Sequence, residues 1–314
     1  MAEILITEFM DDAAVARLSA DHEVIYDPAL VDDLDRARHL AGKCRALIVR
    51  NRTEVRGALL DAAVDLECVG RLGVGLDNID GRECERRNIA VYPATGANDQ
   101  SVAEYVVTTV MMLLRGAYGA SAQVAAGSWP RQRLIGREVS GKTLGLVGFG
   151  AIARQVAVRA RALGMTVIAF DPFVPAGDPA WADADQVTLE ELLARADAVS
   201  MHVPLTGETR DMIGHLELAM MRKGSVLVNA ARGGVVDEVA LAEALTAGHL
   251  GGAALDTFLR EPVSAEDGAL FKDVPNLILT PHIAGVTEES NVRVSAMIAD
   301  LVAQHLAGGP TSWT

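Results

Sequence analysis

The stretch "GLVGFGAIARQVAVRARALGMTVIAFDP", Gly145 to Pro172, constrains the fold of this 314-residue chain more than any other. It reads as a strand, a glycine turn, a helix, and a second strand that ends in an acid. In Gly148-Phe149-Gly150-Ala151-Ile152-Ala153 the first glycine permits the tight turn and the second lets a pyrophosphate approach the backbone. The third position needs only a residue small enough for helix and strand to pack closely, and Ala153 meets that. Unpaired N–H groups at the start of the following helix, around Ala151 and Ile152, favour phosphate. Asp171 closes the second strand, where a carboxylate accepts from the hydroxyls of an adenosine ribose and repels a 2′-phosphate. The motif therefore predicts a dinucleotide site that selects NAD over NADP. It begins almost halfway along the chain.

The residues before it have the same alternating character. "ILITEF", "HEVIYD", "RALIVR", "LECVGRLGVG" and "IAVYPAT" read as strands, separated by amphipathic stretches such as "DDAAVARLSAD" and "EVRGALLDAAV". Strands alternating with helices imply βαβ units and a parallel sheet. From Asn98 the pattern changes to one long connecting helix with a further helical piece behind it, with Ser101 and Glu104 spaced as a capping box. "GSWPRQRLIGREVSGK" reads as a loop. Alternation then resumes through "TVIAFD", "AVSMHV", "SVLVNA", "GGAALDTF" and "NLILTPH", and "EESNVRVSAMIADLVAQHLAG" reads as a second long helix. The expected architecture is α/β: a Rossmann-type doubly wound parallel-sheet domain, residues 98–285, inserted into a smaller flavodoxin-like α/β domain formed by residues 1–97 and 286–314.

Composition narrows the function. Half the residues are hydrophobic and the formal net charge is -14. An acidic surface disfavours nucleic acid and anionic membranes, which need a basic face. The N-terminus lacks the pattern of a signal peptide, and "YVVTTVMMLL" is too short to span a bilayer. Three cysteines without metal or redox spacing suggest free thiols in a reducing cytoplasm. No metal site is expected.

Arg232, Asp256, Glu261 and His282 each follow an apolar strand. Ligands of open parallel sheets bind at the carboxyl ends of strands, so these residues are expected to gather beside the nicotinamide. A histidine delivers a proton near neutral pH, and a carboxylate beside it orients the ring. An arginine binds a carboxylate through its planar fork and polarises a carbonyl. These groups suit hydride transfer to a carbonyl.

The chain resembles the D-isomer-specific 2-hydroxyacid dehydrogenases over nearly its whole length. The resemblance runs through "GRLGVGLDNID", "ATGANDQSVAEY", "GKTLGLVGFGAIA", "HVPLTGETRDMI", "VLVNAARGGVVDEVAL", "GAALDTFLREP" and "PHIAG". It implies that His282 is the acid/base, Glu261 its carboxylate partner, and Arg232 the ligand of the substrate's carboxylate and carbonyl. It implies that the backbone of Val74 and Gly75 holds the same carboxylate and that Asn98 and Ser101 sit at the hinge into the cofactor domain. Ala230, Arg232, Asp256 and Gly285 would neighbour the nicotinamide end, with Pro204 and Thr209 nearer the adenosine half. Ala153 departs from the glycine of most members. A homodimer is expected from the family, with no regulatory domain beyond the second crossing.

For the substrate, "LIVRNRTEV" places Arg50 and Arg52 at the end of a strand. Two arginines there favour a second anionic group remote from the carboxylate, and they are equally compatible with solvated surface charge. "IVRNRT", "GRLGVGLDNID" and "GSWPRQ" look most like the branch of the family that oxidises (S)-3-sulfolactate. The expectation is thus an anionic C3 acid, sulfolactate first, with 3-phosphoglycerate, glycerate and hydroxypyruvate as alternatives. A non-catalytic NAD sensor is the alternative from another class; Arg232, Glu261 and His282 argue against it.

Overall fold

The computed structural model describes residues 3–308; the outermost ends of the expected outer domain, 1–2 and 309–314, lie outside the described residues. Two compact units emerge. One is residues 1–98 with 286–314, and the other is residues 99–285.

The first unit holds a five-stranded parallel sheet of β1 (Ile4–Ile6), β2 (Val24–Tyr26), β3 (Ala46–Val49), β4 (Cys68–Arg71) and β5 (Ala90–Pro93), in the order β2-β1-β3-β4-β5. That is the flavodoxin-like order. Side chains alternate across the sheet because successive strand residues point to opposite faces. Ile4, Ile6 and Ile48 pack with Leu18, Val294, Ile298 and Val302, so the helix Glu288–Leu306 closes one face. Leu5, Leu47, Val49 and Val69 pack on the other face with Ala37, Leu59 and Leu60.

The second unit holds β6 (Thr143–Val147), β7 (Thr166–Phe170), β8 (Asp185–Gln186), β9 (Ala198–Met201), β10 (Val226–Asn229), β11 (Gly252–Leu255) and β12 (Leu277–Leu279). All are parallel, in the order β12-β11-β10-β9-β6-β7-β8. Counted from β6 this is the Rossmann order with one strand added. Strand order reverses between β6 and β9, and the glycine turn leaves β6 at that point. The helices Asp99–Arg115 and Ala151–Ala162 cover one face through Val106, Val110, Val156 and Ala160. Leu192, Leu218, Leu241 and Leu245 cover the other.

Two local readings change, while the expected long helix with a further helical piece behind it is found as Asp99–Arg115 and Ser121–Ala125, with Gly116 at φ +61° after the first. The first begins at Asp99, so Ser101 lies buried within its opening turn and is not its N-cap. The edge strand β8 has only two residues and was not legible as a strand; both are exposed, and no alternation can show in so short a run.

Candidate active site

The nucleotide turn is built as its sequence demands. Gly148 has φ +89°, and a Cβ there would lie 2.6 Å from the carbonyl oxygen of His202 at the end of β9. A side chain at Gly150 would meet nothing within 4 Å, so the space above the turn is open where a pyrophosphate has to approach. Ala153 is fully buried between helix and sheet, where its methyl group fits. Asp171 lies just beyond β7. One carboxylate oxygen accepts the N–H of Phe149 (2.8 Å) and the other that of Phe173 (2.9 Å). Each oxygen keeps a lone pair for a further donor, so the acid both fixes the turn and can receive ribose hydroxyls. Beyond β9, Thr209 donates its hydroxyl to the Pro204 carbonyl (2.6 Å) and accepts the N–H of Thr206 (2.8 Å). Pro204 and Thr209 thereby close one loop. The residues present fit a dinucleotide.

At the ends of β10, β11 and β12 the charged residues converge. Arg232 follows β10 in a turn braced by the buried Asn229. The amide of Asn229 donates to the Arg232 carbonyl (2.8 Å), and its oxygen accepts the Ala231 N–H (3.1 Å). Arg232 itself donates to the Ala231 carbonyl (2.5 Å). Gly233 is required beside it, since a Cβ there would fall 1.8 Å from the carbonyl oxygen of Phe258. The turn after β10 is thus pressed against the loop after β11.

That second loop carries Glu261. One of its oxygens accepts the N–H of Phe258 (2.9 Å), and the other lies 2.6 Å from Nδ1 of His282. Burial pushes the Glu261 carboxyl up. The hydrogen bond with His282, the Phe258 N–H and the charges of His282 and Arg232 outweigh it, holding the group below the usual carboxylate range. An ionised Glu261 can only accept, so Nδ1 of His282 carries the proton and Nε2 is left as the working nitrogen. The arrangement gives a proton donor and acceptor of fixed tautomer, with a guanidinium close enough to act on the same carboxylate.

His282 has φ +53°, a left-handed conformation unusual for a side chain with a Cβ. Asp256, 1% exposed, holds it there. The Asp256 carbonyl accepts the His282 N–H (2.8 Å), and its carboxylate accepts the N–H groups of Ile283 and Ala284 (both 2.8 Å). The same carboxylate accepts the hydroxyl of Thr280 (2.6 Å), which lies 2.6 Å from the hydroxyl of Tyr105. Because the one hydroxyl hydrogen of Thr280 goes to Asp256, Tyr105 is the donor of that last bond. Asp256 was read from the sequence as a neighbour of the nicotinamide end. The structure gives its carboxylate three partners within the histidine loop, so its observed work is to hold that loop. Ala230 and Gly285 flank the two loops, each half-buried.

Sequence reasoning missed Tyr105 and Thr280. Tyr105 sits in an apolar run that reads as helix packing, and no local signal shows that its hydroxyl meets a residue so far along the chain. It also missed His202, whose Nε2 lies 3.0 Å from the Ser200 hydroxyl and whose imidazole is pushed down to about 4 by burial.

In the first unit, Arg50 and Arg52 part company. Glu8, 6% exposed, accepts the N–H groups of Arg50 (2.9 Å), Arg52 (3.2 Å) and Thr53 (2.8 Å). Asn78 donates to the carbonyls of Arg50 (3.1 Å) and Thr53 (2.7 Å). The loop is clamped from both sides. The Arg50 side chain is half-buried, donates to Oδ1 of Asn291 (2.7 Å), and has Cζ 5.9 Å from the centre of the Phe9 ring. Arg52 points to the surface and pairs with Asp32 at 2.5 Å. The two are therefore not equivalent, as a shared role would have required. Val74 and Gly75 lie half-buried in the loop that follows β4.

Among the described residues, no group of histidine, cysteine or acidic side chains could hold a metal ion, and no helix is long and apolar enough to cross a membrane. The three cysteines are buried and free.

Residues 107–284 match the model of the D-isomer specific 2-hydroxyacid dehydrogenase, NAD binding domain. The chain is 55% identical to the (S)-sulfolactate dehydrogenase of Chromohalobacter salexigens over 307 residues, 98% of this chain and 99% of that one. It is 40% identical to the D-3-phosphoglycerate dehydrogenase of Archaeoglobus fulgidus over 268 residues, 85% of this chain and 50% of that longer protein. The D-lactate dehydrogenase of Aquifex aeolicus, solved with NAD and lactic acid, has the same fold at a TM-score of 0.85 and 25% identity, covering 98% of this chain and 96% of that one. With its nucleotide turn, its strand-end histidine, acid and arginine, and these relatives, the chain belongs to the D-isomer specific 2-hydroxyacid dehydrogenases, NAD-dependent oxidoreductases.

Proposed function

We propose that this enzyme interconverts (S)-3-sulfolactate and sulfopyruvate. The observation that carries the substrate is Arg50. Its half-buried guanidinium has a neutral amide partner and no acid partner among the described residues, as a binder of a second anionic group requires. Arg52, paired with Asp32 on the surface, is not assigned to that group. The 55% identity to a sulfolactate dehydrogenase over nearly the full chain supports the same substrate.

In this reading Arg232 binds the substrate carboxylate and polarises the carbonyl through its fork. The N–H groups around Val74 and Gly75 are assigned to the same carboxylate. In the direction of oxidation, Nε2 of His282 takes the hydroxyl proton; in reduction it returns it. Glu261 holds the ring in the required tautomer and stabilises its charged form. Bound NAD supplies the acceptor for the substrate's hydride. Asp171 receives the adenosine ribose, and the residues 98–285 form the cofactor domain, with residues 1–97 and 286–314 as the substrate domain. The acidic composition and buried thiols support a cytoplasmic enzyme without nucleic-acid or membrane partners. The exposed Tyr118, Trp129 and Ile135 support a homodimer.

The test is a panel of 2-oxo acids reduced with NADH. Sulfopyruvate is expected to exceed pyruvate and glyoxylate in kcat/KM, and Arg50→Ala is expected to erase most of that difference. If pyruvate or glyoxylate matches sulfopyruvate, and Arg50→Ala changes neither, the substrate assignment is wrong.

A further inference from the structure

A guanidinium that must select an anion faces a conflict. It has to be held still, and the side chains best able to hold it are carboxylates, which cancel its charge. In this chain the conflict is resolved around Arg50. The acid whose charge acts on it, Glu8, has its carboxylate committed to three backbone N–H groups, those of Arg50, Arg52 and Thr53. Glu8 therefore fixes where the arginine's main chain leaves β3 without forming an ion pair with its head group. The head group is aimed instead by Oδ1 of Asn291, at 2.7 Å, from the first turn of the helix Glu288–Leu306. The Phe9 ring flanks the cation at 5.9 Å. A guanidinium has five N–H donors. Arg50 directs one to Asn291, and the others have no acceptor in the protein among the described residues. Burial pushes its pKa down against the opposing charge of Glu8, the mark of a cation short of compensation.

Arg52 provides the internal contrast. It leaves the same loop two residues on, is exposed, and has an acid partner in Asp32. One arginine is neutralised on the surface; the other is half-buried, oriented and left charged.

We infer that Asn291 is a specificity-determining positioning residue: its neutral amide aims Arg50 at the anionic group on C3 of the substrate without neutralising it. This rests on the reading of Arg50 given above. The ligand chemistry is a tetrahedral oxyanion carried by a short 2-oxo acid, a sulfonate or a phosphate.

The test compares Asn291→Ala, Asn291→Asp and Arg50→Ala with the parent, using sulfopyruvate, 3-phosphohydroxypyruvate and pyruvate with NADH. For Asn291→Ala the ratio of kcat/KM for sulfopyruvate to that for pyruvate is expected to fall about 10-fold, with the loss in KM and not in kcat. Asn291→Asp is the decisive variant. It keeps an acceptor for Arg50, so the fold and melting temperature are retained, yet its charge cancels the arginine. The ratio is expected to fall at least as far as in Asn291→Ala. A purely structural role predicts the reverse, since aspartate restores the contact. Arg50→Ala combined with Asn291→Ala is expected to be no worse than Arg50→Ala alone, because the asparagine acts through the arginine. If Arg50→Ala lowers the ratio while Asn291→Asp keeps the parental value, the inference about Asn291 is overturned and the reading of Arg50 stands. If Arg50→Ala itself leaves the ratio unchanged, the reading of Arg50 falls, and with it the inference. If 3-phosphohydroxypyruvate responds and sulfopyruvate does not, the seat takes phosphate and the sulfonate assignment is wrong.

Discussion

Glu261 faces His282 at 2.6 Å, and its other oxygen is tied to the Phe258 N–H at 2.9 Å. The carboxylate is therefore fixed before it fixes the histidine. Replacing His282 by alanine is expected to lower kcat by about 10²–10⁴-fold, the usual contribution of a general acid–base group. NADH affinity, followed by fluorescence titration, is expected to hold. Glu261→Gln presents an amide N–H to Nδ1 or loses the bond, so the required tautomer is no longer enforced. A loss of about 10²-fold or more in kcat is expected. Parental turnover in either variant would remove that residue from the proton path.

The same pair sets a pH expectation. The Glu261 carboxyl lies below the usual range in the folded protein, so it stays ionised as pH falls past about 4.3, the ordinary value for glutamate. A depressed folded value means that the stabilisation is fully present above the unfolded pKa and is lost only as pH falls through the folded one. Carbon-13 NMR of the Glu261 carboxyl should show a midpoint below that of an exposed glutamate. A midpoint above it would mean that burial outweighs His282 and Arg232.

The turn at Gly148 and the acid at Asp171 share a bond through the Phe149 N–H. Asp171→Ala is expected to raise KM for NAD at least about 10-fold and to narrow the preference over NADP by a similar factor. Asp171→Asn keeps an acceptor for Phe149 while removing the charge that repels a 2′-phosphate. It should narrow the preference with a smaller rise in KM. Unchanged discrimination in both variants would place cofactor selection elsewhere.

Tyr105 donates to Thr280, and Thr280 to Asp256. Tyr105→Phe removes only the first donor, and a loss of about 1 kcal/mol in stability to urea is expected. Asp256→Ala strips the loop of its carboxylate and leaves the Ile283 and Ala284 N–H groups without their acceptor, the second of them buried. It is expected to cost more than about 2 kcal/mol and to reduce kcat more than the KM for NADH. If Asp256→Ala altered only the affinity for NADH, the residue would be a cofactor contact and not the anchor of the loop.

Arg45 joins Glu3 (2.8 Å) and Glu67 (2.6 Å) at the amino ends of β3, β1 and β4, and His22 also meets Glu3 (2.9 Å). Hydrogen bonding to His22 and then Arg45 lowers the Glu3 carboxyl, and hydrogen bonding to Arg45 lowers that of Glu67. Both contributions are present above the ordinary carboxylate range and fade as pH falls through the lowered values. The side chains are more than a third exposed at Arg45 and Glu67, so solvent screening keeps the effect small. Arg45→Met is expected to destabilise by no more than about 1 kcal/mol at pH 7 in urea titrations, and by less at pH 3.

The parts of this enzyme that repeat in sequence were legible, and the parts that meet only in space were not. Both sheets show as alternating apolar runs, and the order of strand and helix suffices to place Arg232, Glu261 and His282 on one sheet edge. The glycine turn and Asp171 are local, so their spacing carries their meaning. Asn291 was invisible because it is a polar residue near the start of a helix, where solvent is the ordinary partner; only the fold brings it to Arg50. Arg52 stands beside Arg50 in the sequence, and only the fold shows that its neighbour in space is Asp32. Asp256, which the family resemblance sets near the nicotinamide end, has three donors of the histidine loop on its carboxylate, and no local signal in the sequence shows them.

The anchoring of that loop has a mechanical consequence. His282 is bonded through its own N–H and its neighbours to a residue that immediately follows β11. The backbone at His282 is therefore tied to the end of β11. If His282 carries the proton as proposed, the histidine loop is expected to move with that strand end, and a backbone probe at the end of β11 should report the same rate as one on the loop.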